Sequence, residues 1–116
     1  MNNFYLLYGT DKSVINNELD KIINKLGTDD IVRYSLLDTL IEDVIMDAST
    51  VSMFSNKKII ILDDAVFLCA NKTIDKIEVL EEYFNNYNRD SYLIFVVNKE
   101  KVDTRKKIYK EIKKKG

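Results

Sequence analysis

Residues 58–64, with the sequence KIIILDD, decide the fold class of this chain. Four consecutive large apolar residues, at positions 59–62, are typical of a parallel β-strand that is buried on both faces. Two acids, Asp63 and Asp64, follow at the end where such a strand meets solvent. Residues 93–97, with the sequence LIFVV, repeat the unbroken apolar pattern. Both segments are therefore predicted to be central strands of a parallel sheet.

Two further apolar runs complete a set of four predicted strands, at residues 4–8, 31–36, 58–62 and 92–97. Between these strands, apolar residues recur at helical spacing. The resulting βαβαβαβα order predicts an α/β fold of three layers, in which a parallel sheet carries helices on both faces. In such folds ligands bind at the carboxyl ends of the strands, so function is sought on the loops there.

Short signals place the ends of the four helices. Asp11 is the expected N-cap of the first helix, and Gly27 is its expected C-cap. Thr39 and Glu42 match a capping box for the second helix, and the fourth is expected to begin near residues 103–104. The apolar helix faces are, in chain order, Val14, Ile15, Leu19, Ile22, Ile23 and Leu26; Leu40, Ile41, Val44, Ile45 and Ala48; Ile74, Ile77, Leu80, Phe84 and Tyr87; and Ile108, Tyr109 and Ile112.

The composition narrows the class of protein. The length of 116 residues fits one domain, and 46% hydrophobic with 32% charged residues is typical of a globular chain. Histidine is absent and Cys69 is the only cysteine, which removes disulfides, the usual zinc sites and the commonest general base. A lone thiol fits the reducing cytoplasm, and no apolar run approaches the ~20 residues of a membrane helix. We expect a cytoplasmic protein with no metal site and no membrane partner.

Basic charge is concentrated near the end of the chain. Residues 99–116 contain nine Lys or Arg and three acids, a net charge of +6, whereas residues 1–98 carry −7. Such a run can attract nucleic acid, but the favoured interpretation is the solvated face of a terminal helix. Contact with DNA is therefore expected to be weak.

The loop at residues 9–13, with the sequence GTDKS, lies where a nucleotide-binding domain carries its phosphate loop. A phosphate loop has the pattern G-x-x-x-x-G-K-[ST], because its glycines let backbone amides surround the phosphates. Here only Thr10 and Asp11 separate Gly9 from Lys12, so the loop is three residues short and lacks the second glycine. A carboxylate at Asp11 would also occupy the anion position at the helix end. The loop is therefore predicted not to bind ATP.

Two alternatives from other classes use the acids after the third strand. In P-loop enzymes, acids in the place of Asp63 and Asp64 hold Mg²⁺ and a catalytic carboxylate, and Asn98 would lie where a γ-phosphate sensor stands. That hypothesis gives a degenerate nucleotide-binding ATPase. A receiver-like signalling domain would instead accept a phosphoryl group on Asp63, with Lys99 after a later strand. Receivers also need an acidic pair after the first strand, and this chain has Gly9 and Thr10 before a single acid there.

The segment at residues 48–56, with the sequence ASTVSMFSN, connects the second helix to the third strand. Met53 and Phe54 are two large apolar residues in polar company. On the surface they would form a compact apolar wedge of the kind that protein partners bind. Spacing alone also allows both side chains to pack onto the domain's own core, and it favours that arrangement.

Three segments together resemble the delta subunit of the bacterial DNA polymerase III clamp loader. They are residues 5–11 (YLLYGTD), 52–61 (SMFSNKKIII) and 103–110 (DTRKKIYK), and the likeness extends over the whole chain. The resemblance implies an AAA+-type, RecA-like fold that has lost its functional P-loop. It also implies that residues 1–116 are a single N-terminal domain, with the lid and collar domains of the full-length protein absent from this chain.

The same resemblance implies a function and a site. A delta subunit binds the sliding clamp, the beta subunit, and helps to open the ring for loading onto primed DNA; it belongs to a DNA-directed DNA polymerase holoenzyme but does not itself hydrolyse ATP. Its clamp-binding element matches Ser52, Met53 and Phe54, with Val51 as a flanking contact, and these replace the core-packing interpretation. The other loader subunits, tau/gamma and delta prime, are expected to bind mainly through the missing C-terminal domain. No catalytic, cofactor-binding or metal-binding residue is expected.

Overall fold

The computed structural model describes residues 2–50 and 56–115 of the chain. Within these ranges strands and helices alternate in the predicted βαβαβαβα order, which is confirmed. A short 3-10 helix, Val66–Leu68, lies between the third strand and the third helix. The elements are β1 (Phe4–Tyr8), α1 (Lys12–Leu26), β2 (Ile31–Ser35), α2 (Ile41–Ser49), β3 (Lys58–Asp63), α3 (Ile77–Asn85), β4 (Ser91–Val97) and α4 (Lys107–Lys115).

The four strands form one sheet in the order β1-β4-β3-β2, and every neighbouring pair is parallel. The two unbroken apolar strands, β3 and β4, are central as predicted, and all seven residues of β4 are buried. Receiver domains place their first strand between the second and third, in the order 2-1-3-4-5. Here β1 pairs with β4 at the far side of the sheet. The receiver-like interpretation is therefore wrong.

Two apolar cores lie on opposite faces of the sheet. Alternate residues of β3 point to opposite faces, as the period of a strand requires, so Ile59 and Ile61 face one core whereas Ile60 and Leu62 face the other. The first core is closed by α1 through Ile15, Leu19 and Leu26. The second is closed by α2, α3 and α4. The three-layer architecture is confirmed.

The capping box proposed at Thr39 is wrong. The N-cap residue of α2 is Leu40, in extended conformation, and its side chain has no hydrogen-bond acceptor. Thr39 instead belongs to the turn after β2, where its amide donates to the carbonyl of Ser35 (3.0 Å) and its hydroxyl to Asp38 Oδ1 (3.1 Å). Glu42 pairs with Lys76 Nζ at 3.0 Å, and this partner lowers the pKa of the Glu42 carboxyl. Tertiary partners have taken both groups that the local motif would use.

The last two helices begin later than their apolar spacing predicts. Ile74 and Tyr87 pack against the core but lie outside α3. The segment proposed as the start of α4 forms a turn, in which Asp103 Oδ1 accepts from the amide of Arg105 (3.0 Å). The amide of Asp103 donates to the carbonyl of Leu68 at 2.7 Å, which holds this turn against the 3-10 helix. The segment is therefore a tethered loop, and α4 begins four residues later, at Lys107.

Candidate functional site

The carboxyl ends of the strands border an open cleft of about 420 Å³. We call it the carboxyl-edge cleft. It lies where open α/β sheets bind ligands, beside the N-terminus of α1. Polar side chains make up most of its wall. The lining residues are Lys12, Ile15, Asn16, Arg33, Ser35, Asp63, Asp64, Val96 and Asn98. The structure thus brings together the loop lysine, the two acids and the asparagine that the sequence singled out.

The N-terminus of α1 is occupied by the protein's own carboxylate. Asp11 Oδ1 accepts hydrogen bonds from the amides of Ser13 (2.9 Å) and Val14 (3.4 Å), so the predicted N-cap is confirmed. A phosphate bound at a helix N-terminus needs such amides as donors. The preceding Gly9 has φ +155° and its amide donates to the carbonyl of Val97 at 3.1 Å, which fixes the loop beside β4. The Asp11 carboxylate therefore occupies donors, and adds a negative charge, at the place a phosphate would need.

Both acids after β3 also have partners within the domain. Arg33 lies across from Asp63 and binds its carboxylate with two nitrogens, Nε to Oδ2 and Nη2 to Oδ1, the latter at 2.9 Å. This hydrogen bonding raises the pKa of the Arg33 guanidinium. The hydroxyl of Ser35 donates to Asp64 Oδ2 at 2.5 Å. The two carboxylates that a P-loop enzyme would direct at Mg²⁺ thus bind side chains of the neighbouring strand β2.

The partners of these acids escaped the sequence reasoning. A signal existed, because Arg33 is the one charged residue in the strand IVRYS and lies one strand away from Asp63 in a parallel sheet. Within residues 2–50 and 56–115, no group of three or more acid, cysteine or histidine side chains is placed to hold a metal ion.

The predicted clamp-binding residues lie outside the described residues. Val51, Ser52, Met53 and Phe54 belong to residues 51–55, which we call the clamp-binding segment. Its position in the chain nevertheless fixes where it starts and ends. It leaves from the end of α2 and returns at the start of β3, so its two ends lie at the amino edge of the sheet, opposite the carboxyl-edge cleft.

The α2 end of the clamp-binding segment is bound to the start of β4. The carbonyl of Ala48 accepts from Ser91 Oγ (2.7 Å) and from Asn88 Nδ2 (3.2 Å). The same amide of Asn88 reaches the carbonyl of Thr50 at 3.4 Å. Thr50 Oγ1 donates back to the carbonyl of Met46 at 2.8 Å. The last helical turn is thereby held, although Thr50 itself is exposed.

The β3 end is fixed by residues from three other loops and elements. The carbonyl of Lys57 accepts from Thr28 Oγ1 at 2.8 Å, and the amide of Lys58 donates to the carbonyl of Asp90 at 2.8 Å. The ammonium of Lys58 pairs with Asp47 Oδ1 on α2, and the hydroxyl of Tyr34 donates to the other oxygen, Asp47 Oδ2, at 2.6 Å. The ends of the clamp-binding segment are therefore bound to β2, to β4 and to each other.

The basic run near the end of the chain forms the outer face of α4. Lys110, Lys113 and Lys114 are exposed, whereas Ile108 and Ile112 on the opposite side are buried against the sheet. Lys113 Nζ lies 5.8 Å from the ring centre of Tyr109. This is the arrangement of a solvated amphipathic helix. Contact with DNA stays a prediction.

None of the helices found in residues 2–50 and 56–115 combines the length and apolar character needed to cross a membrane.

Comparison with known proteins gives both a fold and a family. Among solved structures, the chain is similar to the Bacillus subtilis DNA clamp loader delta protein (YqeN), with a TM-score of 0.83 and 21% sequence identity. The match covers 98% of this chain and 36% of that chain, so the present chain spans about a third of the length of that relative. At this identity the likeness establishes the fold, and the predicted RecA-like class is confirmed. No curated protein matches the sequence.

The family is shown by the sequence itself. The family model described as "DNA polymerase III, delta subunit" matches residues 5–116, nearly the whole chain. The predicted resemblance is thus confirmed, and the chain belongs to the DNA polymerase III delta subunit family.

Proposed function

We propose that this domain binds the sliding clamp, the beta subunit, by inserting Met53 and Phe54 into an apolar pocket of the clamp, and that it helps to open the ring for loading onto primed DNA. Ser52 and Val51 flank the inserted pair. The observation that carries the proposal is the family match, which runs without interruption through residues 5–116 and so includes the clamp-binding segment.

The energy available from two such side chains is sufficient for a specific contact. Burial of one large apolar side chain contributes ~1.5 to 3 kcal/mol, so Met53 and Phe54 together supply ~3 to 6 kcal/mol. That energy corresponds to roughly a hundred- to ten-thousand-fold in affinity. The anchored ends of the clamp-binding segment support the proposal, because a segment held at both ends loses less conformational freedom when it binds.

In this proposal the domain takes no part in ATP hydrolysis. The Asp11 carboxylate already accepts from the amides at the start of α1, and Asp63 is paired with Arg33. A nucleotide would therefore have to displace the domain's own polar partners. Hydrolysis belongs to other loader subunits, tau/gamma, which with delta prime assemble mainly through parts of the protein beyond this chain. The assembly acts in the cytoplasm.

The test is a clamp-binding measurement with the sliding clamp of the same organism. The chain should bind the immobilised clamp, and Met53→Ala/Phe54→Ala should lose at least a hundredfold in affinity, from the burial energy of the two side chains. Leu37→Ala is the matched control, because Leu37 is a 75% exposed apolar residue that follows β2 at the opposite edge of the sheet. Equal binding by the wild type and the double variant would refute the proposal.

Calorimetric titration with ATP and Mg²⁺ tests the competing hypothesis of a nucleotide-dependent enzyme. Saturable binding that disappears in Lys12→Ala would support that hypothesis. We expect no heat of binding in either protein.

A further inference from the structure

Asp47 is placed where local helix energetics disfavour it. It lies in the last turn of α2, and no basic residue shares that turn. A carboxylate at a helix C-terminus faces the negative end of the helix dipole, which costs about 0.3 to 1 kcal/mol when the group is exposed. The residue must therefore obtain its stabilisation from outside the helix.

That stabilisation comes from two other elements of the sheet. Lys58, the first residue of β3, binds Asp47 Oδ1 through its ammonium, and Tyr34 of β2 donates its hydroxyl to Oδ2 at 2.6 Å. Both carboxylate oxygens are thus used. We call Tyr34, Asp47 and Lys58 the Asp47 network. The side chains of Lys58 and Asp47 are only 27% and 18% exposed, so solvent screens this ion pair less than it screens a surface pair.

The Asp47 network connects the two ends of the clamp-binding segment. Asp47 precedes that segment by one helical turn and Lys58 follows it directly, so their ion pair closes a loop of the chain around residues 51–55. The other ion pair that tethers α2, Glu42 with Lys76, lies at the opposite end of the helix and holds it to α3. One helix therefore carries two tethers, of which only one borders the segment.

We infer that Asp47, Lys58 and Tyr34 are positioning residues for clamp binding, which hold the two ends of the clamp-binding segment at a fixed separation before the clamp is engaged. This inference rests on the proposed function. The physical reason is conformational entropy: fixing the backbone of one residue costs about 1 to 2 kcal/mol, so an ordered pair of ends leaves less freedom to be lost on binding. The network contacts no clamp residue and adds no binding surface in this account.

The experiment compares two double-mutant cycles on the same helix, read out as clamp affinity. The first cycle uses Asp47→Asn and Lys58→Met, and the second uses Glu42→Gln and Lys76→Met. Affinities are measured at a temperature where circular dichroism shows each variant to be fully folded. We expect Asp47→Asn and Lys58→Met each to weaken clamp binding about tenfold, equivalent to about 1.4 kcal/mol. Their double variant should be no weaker than either single one, because both remove the same pair.

Three controls separate positioning from general stability. Glu42→Gln and Lys76→Met should leave clamp affinity within about twofold of wild type, since exposed pairs contribute little. Lys58→Arg keeps the ion pair and should retain binding. Tyr34→Phe should fall between wild type and Asp47→Asn. If Asp47→Asn does not fold, Lys58→Met and its Arg counterpart decide the question by the same comparison.

The outcomes that overturn this inference differ from those that overturn the proposed function. If Asp47→Asn binds like wild type while Met53→Ala/Phe54→Ala does not bind, the positioning role is wrong and the proposed function stands. If Glu42→Gln weakens binding as much as Asp47→Asn, the effect is a general loosening of α2 and the positioning role is again wrong. If wild type and Met53→Ala/Phe54→Ala bind alike, the proposed function fails and this inference fails with it.

Discussion

The two edges of the sheet use their polar side chains in different ways. At the carboxyl edge, polar side chains bind one another or their own helix end, as in the pairs of Arg33 with Asp63 and of Ser35 with Asp64. At the amino edge, side chains such as Asn88 and Thr28 bind backbone carbonyls on either side of the clamp-binding segment. The edges are roughly 20 Å apart, because β3 has six residues at about 3.3 Å each.

The difference separates two ways in which a loop can lose or gain a role. Polar groups that satisfy each other have little capacity left for a ligand, because a new partner must first break existing hydrogen bonds. Polar groups that hold only the ends of a segment leave the side chains between those ends free of that task. The same α/β scaffold therefore has an edge closed by internal pairing and an edge prepared for a partner, in the function proposed above.

The largest expected effect comes from the strand that both edges share. Phe95 lies at the middle of β4, is 0% exposed and packs edge-on against Phe67 with ring centres 6.3 Å apart. Phe95→Ala should lower the free energy of unfolding by about 3 to 5 kcal/mol, through lost burial and the cavity left behind. Urea denaturation followed by circular dichroism measures it. A loss below about 1 kcal/mol would mean that the two edges do not depend on one rigid strand.

A smaller effect is expected from the amino edge alone. Asn88→Ala removes the amide that donates to the carbonyls of Ala48 and Thr50 and to Ser91 Oγ. The free energy of unfolding should fall by about 1 to 3 kcal/mol, because a partly buried carbonyl loses a donor. Asn85→Ala, an exposed change in α3, is the control and should be close to neutral. Chemical denaturation of both variants gives the comparison, and equal losses would contradict the anchoring role of Asn88.

The fold followed from periodicity, because apolar pattern and burial have the same physical origin. β1 has the predicted bounds, and the buried runs of β3 and β4 lie at the centre of the sheet. Predictions failed where a side chain had a tertiary partner. Glu42 fits a capping box locally, but Lys76 from the start of α3 binds it in the folded domain. Arg33 was missed for the same reason, since its pairing with Asp63 requires β2 and β3 to be adjacent.

The candidate site divides in a similar way. The loss of a phosphate loop could be predicted from residues that are neighbours in sequence, because the spacing of Gly9 and Lys12 is a local property. The ends of the clamp-binding segment could not, because their partners are distant in the chain: Asn88 is 38 residues from Thr50, and Thr28 is 29 residues from Lys57. The role of Met53 and Phe54 stays a prediction.

At the carboxyl edge, the expected effect is on stability and not on clamp binding. Asp11→Ala removes the N-cap of α1 and should cost about 1 kcal/mol in the free energy of unfolding. Asp20→Ala, an exposed change in the middle of the same helix, is the matched control. Clamp affinity should be unchanged in both variants, since neither touches the amino edge. A clamp-binding defect in Asp11→Ala at full folding would show that the two edges are not independent.

The smallest effect is absent at neutral pH and tests the amino edge by titration. The hydrogen bond from Tyr34 to Asp47, followed by burial, raises the pKa of the Tyr34 hydroxyl from 10.0 to about 12. Because the folded pKa is the higher one, this stabilisation is fully present below pH 10 and is lost as the pH rises towards 12. Between these values the free energy of unfolding should fall more steeply with pH in the wild type than in Tyr34→Phe. The difference in tyrosinate absorbance between the two proteins isolates this residue from Tyr5 and Tyr83, whose pKa values burial also raises. A difference curve centred at pH 10 would mean that Tyr34 does not donate to Asp47 in solution, and the Asp47 network would then consist of the ion pair alone.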